Sequence, residues 1–186
     1  MGSHRQLTRL GPGSNRRVTM RDYATRIAEL ADVASVDALL QRSYPELMGL
    51  AYEESVIVPA LKLLTKANPS LLASGSYYVA ESRSGLVVGC GGWSLERPGT
   101  NTVELDMAHI RHFATHPEWT QRGIGRAIFH LCETAARSAG VRILECYSSL
   151  NVEGFYAALG FESVRRIQID LGRNVVLPAI LMRRTI

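Results

Sequence analysis

Apolar residues recur at three- and four-residue steps over one stretch near the middle of the chain. Between Gly123 and Gly140 this spacing predicts a long amphipathic helix with one buried face, which Gly140 terminates. The preceding segment, HIRHFAT at 109–115, has aromatic and β-branched members and ends before His116-Pro117. It predicts a strand followed by a turn. The predicted helical face consists of Ile124, Ala127, Ile128, Leu131, Cys132, Ala135 and Ala139.

The rest of the pattern predicts an α/β (α+β) domain with a mixed sheet. A nearly all-apolar strand at 86–93 predicts the buried centre of the sheet, and its glycines predict a bulge or a close backbone approach. A strand, helix and strand in succession predict a crossover with parallel strands. The predicted strands are 26–30, 77–81, 86–93, 105–115, 141–146, 164–171 and 176–183.

Helices are also predicted before the strand at 77–81 and after the strand at 141–146. Asp32 is predicted to cap a helix whose apolar face includes Val36, Leu39, Leu40 and Leu47. A second helix, with apolar positions from Val56 to Leu64, is predicted to end near Asn68-Pro69. Asn151 is a candidate cap for a short helix that ends before Gly160.

The length and the charge of the chain limit the number of domains and the kinds of partner it can have. A chain of 186 residues with 46% hydrophobic content suits one domain, and no apolar run reaches the length of a membrane span. Residues 1–21 hold five arginines and no acid, so the remaining chain has 16 basic and 17 acidic residues, a net charge of −1. We therefore expect no nucleic-acid partner and no membrane association. Residues 1–21 are interpreted as a disordered basic tail, an expression-tag remnant or an extension before a start at Met20, and 22–186 as the domain.

Three cysteines, Cys90, Cys132 and Cys146, lie in apolar or strand-like segments without metal-type spacing. They predict reduced core thiols in a cytoplasmic protein. His109, His112 and His116 invite a zinc interpretation, but no cysteine or carboxylate completes a four-ligand set. His109 and His112 should also point to opposite strand faces, so we expect no metal and a packing role for His112.

The turn before the long helix is the first candidate binding site, because the turn contains two glycines and two arginines. Backbone N–H groups in the first turn of a helix lack intrahelical partners, and glycine lets an anion approach them. The turn therefore suits a diphosphate, although an ordinary connection could use the same glycines. A Walker loop is excluded because Arg126-Ala127 follows Gly125. A dinucleotide fingerprint is rejected because seven residues separate the strand from the first glycine, despite Glu145 at a suitable distance.

The segments HPEWTQRGIGRAIF and SSLNVEGFYAALGFE resemble the acetyl-CoA-binding core of the GNAT superfamily of N-acetyltransferases. The resemblance is strongest over residues 105–162, and Thr120 departs from the family's loop pattern. It implies a sheet with a splayed parallel strand pair. It also implies acetyl transfer from acetyl-CoA to a primary amine by direct attack in a ternary complex. The implied cofactor contacts are Phe113, Ala114, Thr115, Gln121, Arg122, Gly123, Ile124, Gly125, Arg126, Asn151 and Tyr156.

The resemblance also implies catalytic roles. His109 occupies the position of a catalytic glutamate in the histone-modifying branch and of a histidine in the arylalkylamine branch, so it is the candidate base; the alternative is a structural histidine within the sheet. A main-chain amide near Phe113 would polarise the thioester carbonyl. Tyr156 would either donate a hydrogen bond to the departing thiolate or transfer a proton to it. The helices after the first strand would cover the acceptor cleft, but Tyr44, Tyr52, Glu53 and Glu54 are not assigned as site residues.

Several alternative functions are consistent with the sequence. The acceptor is expected to be a small-molecule amine, but transfer of another acyl group, or to a non-amine acceptor, fits the same residues. A CoA-binding sensor without catalysis is a non-enzymatic alternative, and an RNA-associated module using the arginine-rich tail is a further one. The chain is expected to be a monomer or a homodimer.

Overall fold

A computed structural model describes residues 22–100 and 102–186, and the predictions for residues 1–21 lie outside this part of the chain. The described residues form one seven-stranded mixed sheet in the order β1-β2-β3-β4-β5-β7-β6. Every neighbouring pair is antiparallel except β4 and β5. The strands are β1 Tyr23–Ile27, β2 Tyr77–Ser82, β3 Val87–Ser94, β4 Met107–Thr115, β5 Ile143–Ser148, β6 Glu162–Asp170 and β7 Val176–Thr185.

Helices cover both faces of the sheet. They are α1 Val33–Met48, α2 Glu54–Leu64, α3 Pro69–Leu72, α4 Ile124–Ser138 and α5 Glu153–Ala157. Short 3-10 turns occupy Leu30–Asp32, Gly49–Ala51 and Pro117–Trp119. Within the described part of the chain, no helix has the combination of length and apolarity needed to cross a bilayer.

The predicted long helix and parallel strand pair are confirmed. Helix α4 begins after Gly123 and ends before Gly140, which adopts a φ of +84° that favours glycine. Its buried side chains include Ile124, Ile128 and Cys132, as predicted, together with Phe129 and Ala136, which the predicted face omitted. Ala139 was wrongly placed on that face: it is exposed, because α4 ends one residue earlier.

The parallel strands β4 and β5 pair only at their beginnings. Met107, Ala108 and His109 pair with 143–145, and no pairing follows although both strands continue. The two strands therefore diverge after His109, as the predicted splay requires. This divergence leaves one edge of β4 from Ile110 to Thr115 open.

The glycines of β3 allow close packing at the centre of the sheet. A Cβ atom on Gly91 would lie 2.5 Å from the Phe113 ring, and one on Gly89 would lie 2.3 Å from Ile124 Cγ2. The β3–β4 register shifts between Cys90 and Gly92, opposite a left-handed His112 with a φ of +50°. The predicted bulge and close approach are thus both present, and they bring α4 and Phe113 against β3.

Several predicted boundaries are wrong for tertiary reasons. The first strand is Tyr23–Ile27 rather than 26–30, since the ion pair of Arg26 with Asp32 at 2.7 Å holds the chain in a turn at 30–32. Asp32 precedes α1 but does not cap it, because its carboxylate instead accepts from Arg26 and from the Glu29 N–H.

Other corrections concern the ends of elements. Helix α2 stops at Leu64, and Asn68 caps the separate helix α3 by accepting from two of its N–H groups. Leu47 is 36% exposed, while Met48 takes the buried position. Leu105 is fully exposed and β4 starts at Met107, because a bridge between Glu96 and Val103 turns the chain back before this strand.

Candidate active site

A cavity of about 470 Å³ lies beside the open edge of β4. Its walls come from the splayed end of β4, the turn before α4, the start of α4, the loop after β5, helix α5 and the C-terminal half of α1. The cavity brings together all the predicted cofactor-binding residues except Arg122. Those that line it are Phe113, Ala114, Thr115, Gln121, Gly123, Ile124, Gly125, Arg126, Asn151 and Tyr156.

The turn before α4 has the geometry of an anion site. Gln121 and Gly123 are both left-handed, with φ values of +60° and +77°, and Gly123 occupies the N-cap position of a 15-residue helix. This conformation starts α4 at the cavity wall, where the N–H groups of its first turn have no intrahelical acceptors. A Cβ atom on Gly125 would lie 3.0 Å from Phe155 Cζ, so glycine also permits the packing of α5 against this turn.

The two arginines of the turn differ in position. Arg122 stacks over the Trp119 ring at 4.6 Å and lies 3.9 Å from the carboxylate of Asp22, on the exposed side of the turn. Arg126 lines the cavity and donates a long hydrogen bond of 3.5 Å to the Ala158 carbonyl. Arg126 is therefore placed to contact an anion in the cavity, while Arg122 can contribute only from its rim.

Two hydroxyl groups of α1 bind the open edge of β4. Ser43 donates to the Thr115 carbonyl at 2.9 Å, and Tyr44 donates to the Phe113 carbonyl at 3.3 Å. Both residues line the cavity, and sequence reasoning did not assign either to the site. A signal was present for Ser43, which continues the i, i+3, i+4, i+7 spacing of the buried residues Val36, Leu39 and Leu40.

Tyr156 lies at the inner wall of the cavity among aromatic rings. It is 6% exposed and packs edge-to-face against Phe155 and Phe161, at centroid distances of 5.1 and 5.5 Å. Burial raises the pKa of its hydroxyl well above 10. The phenol therefore keeps its proton at ordinary pH and can act as a hydrogen-bond donor in the cavity.

Asn151 and Tyr52 tie the loop after β5 to the end of α1 and to the segment that follows α1. Asn151 Nδ2 donates to the Leu47 carbonyl at 2.9 Å, and Val152 rather than Asn151 is the N-cap of α5. The predicted capping role of Asn151 is thus wrong, since its amide is used in this contact with the last turn of α1. Tyr52 donates to the Pro178 carbonyl at 3.0 Å and accepts from the Leu150 N–H at 2.9 Å.

His109 lies outside the cavity wall, in the sheet. Its side chain is 1% exposed, and its Nδ1 lies 3.4 Å from Oε1 of Glu145, which is equally buried on β5. Burial lowers the pKa of His109 below its ordinary 6.5, and the neighbouring Glu145 partly opposes this effect. Sequence reasoning missed Glu145 as a site residue, although a glutamate within the strand ILECYS was a visible signal of a buried charge.

The other histidines and the cysteines that were considered as metal ligands do not come together in one site. His112 is half-buried at the bulge with its Nδ1 atom buried, and burial lowers its pKa to about 4. His116 Nδ1 accepts from the Glu118 N–H, which fixes it at the turn after β4. Among residues 22–100 and 102–186, no group of three or more histidine, cysteine or acidic side chains could hold a metal ion. The three cysteines are buried as free thiols, and burial raises the pKa of Cys90 to about 12.

Comparison with known proteins gives a family match and a fold match. Residues 73–163 match the family model described as "Acetyltransferase (GNAT) domain". Searching curated proteins with this sequence returns no match. The fold is similar to a GCN5-related N-acetyltransferase from Rhodopseudomonas palustris, with a TM-score of 0.70 and 20% identity over 91% of this chain and 99% of that one.

Two further solved structures share the fold. The PaiA N-acetyltransferase of Thermoplasma acidophilum, solved in complex with coenzyme A, has a TM-score of 0.65 and 15% identity, over 88% of this chain and 99% of that chain. A mosquito arylalkylamine N-acetyltransferase-like 5b has a TM-score of 0.62 and 15% identity, over 88% and 100% of the two chains.

Proposed function

Because this chain belongs to the GNAT superfamily through the domain at residues 73–163, we propose that it transfers an acetyl group from acetyl-CoA to a primary amine. We assign the activity to residues 22–186 and the acceptor to small-molecule amines. The observation that carries the proposal is one cavity that contains both the glycine turn before α4 and the open edge of β4. An anion site and a free strand edge are what a cofactor with a diphosphate and an amide-containing arm requires.

The proposed cofactor site has two parts. The pyrophosphate would lie on the N–H groups at Gly123, Ile124 and Gly125, with Arg126 adding positive charge from the cavity wall. The pantetheine arm would lie along β4 at residues 113–115, where β5 no longer pairs. This placement is supported by Ser43 and Tyr44, whose hydroxyl groups already bind two carbonyls of this segment and hold it in one position.

The thioester would lie at the inner wall, between the splayed strands. A main-chain N–H near Phe113, beside the bulge at His112, would donate to the carbonyl oxygen as negative charge develops there. Tyr156 would donate a hydrogen bond to the departing thiolate. Because burial raises its pKa well above 10, hydrogen bonding is favoured over full transfer of the proton.

The amine must lose a proton before it attacks, and His109 is the proposed acceptor of that proton. Burial lowers its pKa, so the ring is neutral and able to accept at pH 7. His109 precedes Phe113 by four residues, roughly 13 Å along an ideal strand. The proton would therefore reach His109 through intervening water rather than by direct contact with the amine.

The test is turnover of acetyl-CoA against a panel of primary amines, followed by release of the CoA thiol and by mass of the product. We expect thiol release that depends on one class of amine, with acetylated amine formed in equal amount. Propionyl-CoA in place of acetyl-CoA, and alcohols in place of amines, test transfer of another acyl group and a non-amine acceptor. Tight CoA binding in calorimetry with no turnover across the panel would instead indicate a sensor.

Two expectations about the cell and assembly accompany this proposal. The buried free thiols of Cys90, Cys132 and Cys146 support a reducing, cytoplasmic setting. We expect a monomer or a homodimer without nucleic-acid or membrane partners, which light scattering and a salt titration with RNA would test.

A further inference from the structure

His109 and Glu145 form a buried pair on neighbouring parallel strands. They are register partners of β4 and β5, at the last position where these strands pair. Both side chains are 1% exposed, and His109 Nδ1 lies 3.4 Å from Glu145 Oε1. Within residues 22–100 and 102–186, neither ring nitrogen of His109 has a hydrogen-bond partner, and Glu145 Oε1 has none. Such atoms are rare in a folded interior, so their adjacency calls for a functional account.

The second oxygen of Glu145 is already occupied. Arg183 is the register partner of Glu145 on β7, and its Nε donates to Glu145 Oε2 at 2.8 Å. Cross-strand neighbours point to the same sheet face, so His109, Glu145 and Arg183 form a row across three strands. Arg183 thereby fixes the carboxylate and leaves Oε1 directed at the imidazole.

An ionised carboxylate can only accept a hydrogen bond, and the imidazole atom facing it is Nδ1. A neutral imidazole carries one proton, so the tautomer that suits this neighbour has hydrogen on Nδ1 and none on Nε2. We propose that Glu145 is a positioning residue that holds His109 in this tautomer and thereby leaves Nε2 as the proton acceptor of the reaction. The catalytic consequence rests on the proposed acetyl transfer, but the tautomer itself does not.

The proton can be followed through this arrangement. It leaves the ammonium group of the acceptor, passes through water and binds Nε2, which converts the ring to an imidazolium. The positive charge then lies next to Glu145, and Nδ1–H donates to Oε1. Return of the proton to solvent or to the departing thiolate restores the neutral ring.

Several other charges face His109. Arg97 and Glu104, which pair with each other, approach from the connection between β3 and β4, and Arg111 lies two residues along β4. Burial lowers the pKa of His109 most, Glu145 and Glu104 raise it, and Arg97 and Arg111 lower it. Glu145 has the strongest effect among these charges, and unlike Glu104 it is fully buried. Glu145 is therefore the group whose removal should change His109 most.

Glu145→Gln gives a specific test because glutamine has one acceptor and one donor end. Arg183 requires an acceptor, so the amide oxygen would face Arg183 and the NH₂ group would face His109 Nδ1. Nδ1 would then have to accept, and the ring proton would move to Nε2. We expect turnover to fall by about a hundredfold, as for loss of a general base, with CoA affinity unchanged. The acidic limb of the pH profile should also move to lower pH, since a negative charge that raises the pKa is gone.

The experiment is a long-range ¹H–¹⁵N spectrum of the full chain labelled at its histidines, with His109→Ala used to identify the His109 signals. Wild-type protein should show a protonated Nδ1 and a bare Nε2, and Glu145→Gln should show the reverse. Glu133→Gln is the matched control, because Glu133 is also buried and bound by arginine but lies on α4, away from His109. It should leave the His109 signals unchanged.

Outcomes separate the two proposals. A protonated Nε2 on His109 in the wild-type protein would overturn the assignment of Glu145, even if Glu145→Gln fails to fold. An unchanged tautomer and pH profile in a folded Glu145→Gln variant would overturn it as well. Wild-type protein that shows the expected tautomer but transfers no acetyl group would instead contradict the proposed function alone.

Discussion

The hydroxyl of Tyr44 donates a hydrogen bond to the carbonyl oxygen of Phe113 at 3.3 Å, which joins α1 to the strand edge that β5 leaves open. Ser43 makes the equivalent contact with Thr115 two residues further along β4. An unpaired strand edge in a cavity would otherwise leave these carbonyl groups without partners. The α1 hydroxyl groups thus let the strand stay open where a cofactor arm can lie against it.

Tyr44→Phe should weaken CoA binding about three- to tenfold, the usual effect of losing one hydrogen bond. The change keeps the ring in the cavity wall but frees the Phe113 carbonyl, so residues 113–115 lose part of their support. Calorimetric titration with CoA measures the effect. Tyr147→Phe is the control, since it removes a hydroxyl that does not line the cavity. Equal affinities of a folded Tyr44→Phe variant and wild-type protein would rule out this supporting role.

Gly125→Val should reduce CoA affinity severely while the fold persists. A Cβ atom at this position already meets Phe155 at 3.0 Å, and the two methyl groups of valine would extend into the space before the first-turn N–H groups. Calorimetry gives the affinity and circular dichroism checks the fold. Gly154→Ala in α5 is the matched control, because its added Cβ has nothing within 4 Å. Undiminished affinity in folded Gly125→Val would remove the pyrophosphate from this turn.

The pH profile should distinguish His109 from Tyr156. Because the pKa of His109 lies below 6.5 in the folded protein and the neutral ring is the active form, activity should rise with pH along a limb below 6.5. His109→Ala should lower turnover roughly a hundredfold and remove that limb, with CoA affinity little changed. Tyr156→Phe should lower turnover but keep the limb, since the titrating group remains.

Rate measurements with an active amine from pH 5 to 9 provide this test. If His109→Ala kept full activity and the same limb, the base would have to be sought among Glu53, Glu54 and Glu104 or in water held by main-chain groups. His109 would then have only a structural role in the sheet.

Acidification should destabilise the protein because of His112. Its pKa is about 4 in the folded state and near 6.5 when unfolded, so between these values the unfolded state binds more protons. Stability is therefore fully present above pH 6.5 and falls towards pH 4, by on the order of 3 kcal/mol from this residue. Urea unfolding at several pH values measures the slope.

His112→Asn should flatten this pH dependence, because asparagine has no titrating group and tolerates the left-handed backbone at this position. His130→Asn on the exposed face of α4 should leave the slope as it is in the wild-type protein. A slope that is the same in all three proteins would show that the acid sensitivity comes from other groups.

Local sequence patterns alone determined a large part of this protein. Helix α4, its glycine turn and its end at Gly140 follow from residues close together in the chain, as do the apolar strand β3 and the antiparallel pair β6–β7. These elements depend on helical or strand periodicity and on backbone conformations that only a few residue types favour. The same patterns placed the glycine turn that lines the cavity, whereas the site residues of β4 at 113–115 were expected only from the resemblance to the GNAT family.

Only the tertiary structure decided how distant segments meet. The contact of Tyr44 with Phe113 spans 69 positions, and that of Asn151 with Leu47 spans 104. The burial of Glu145 against His109 depends on the register of two parallel strands separated by α4. Such contacts have no local signature, because they arise when the packing of whole elements brings polar groups together and each group must then find a partner.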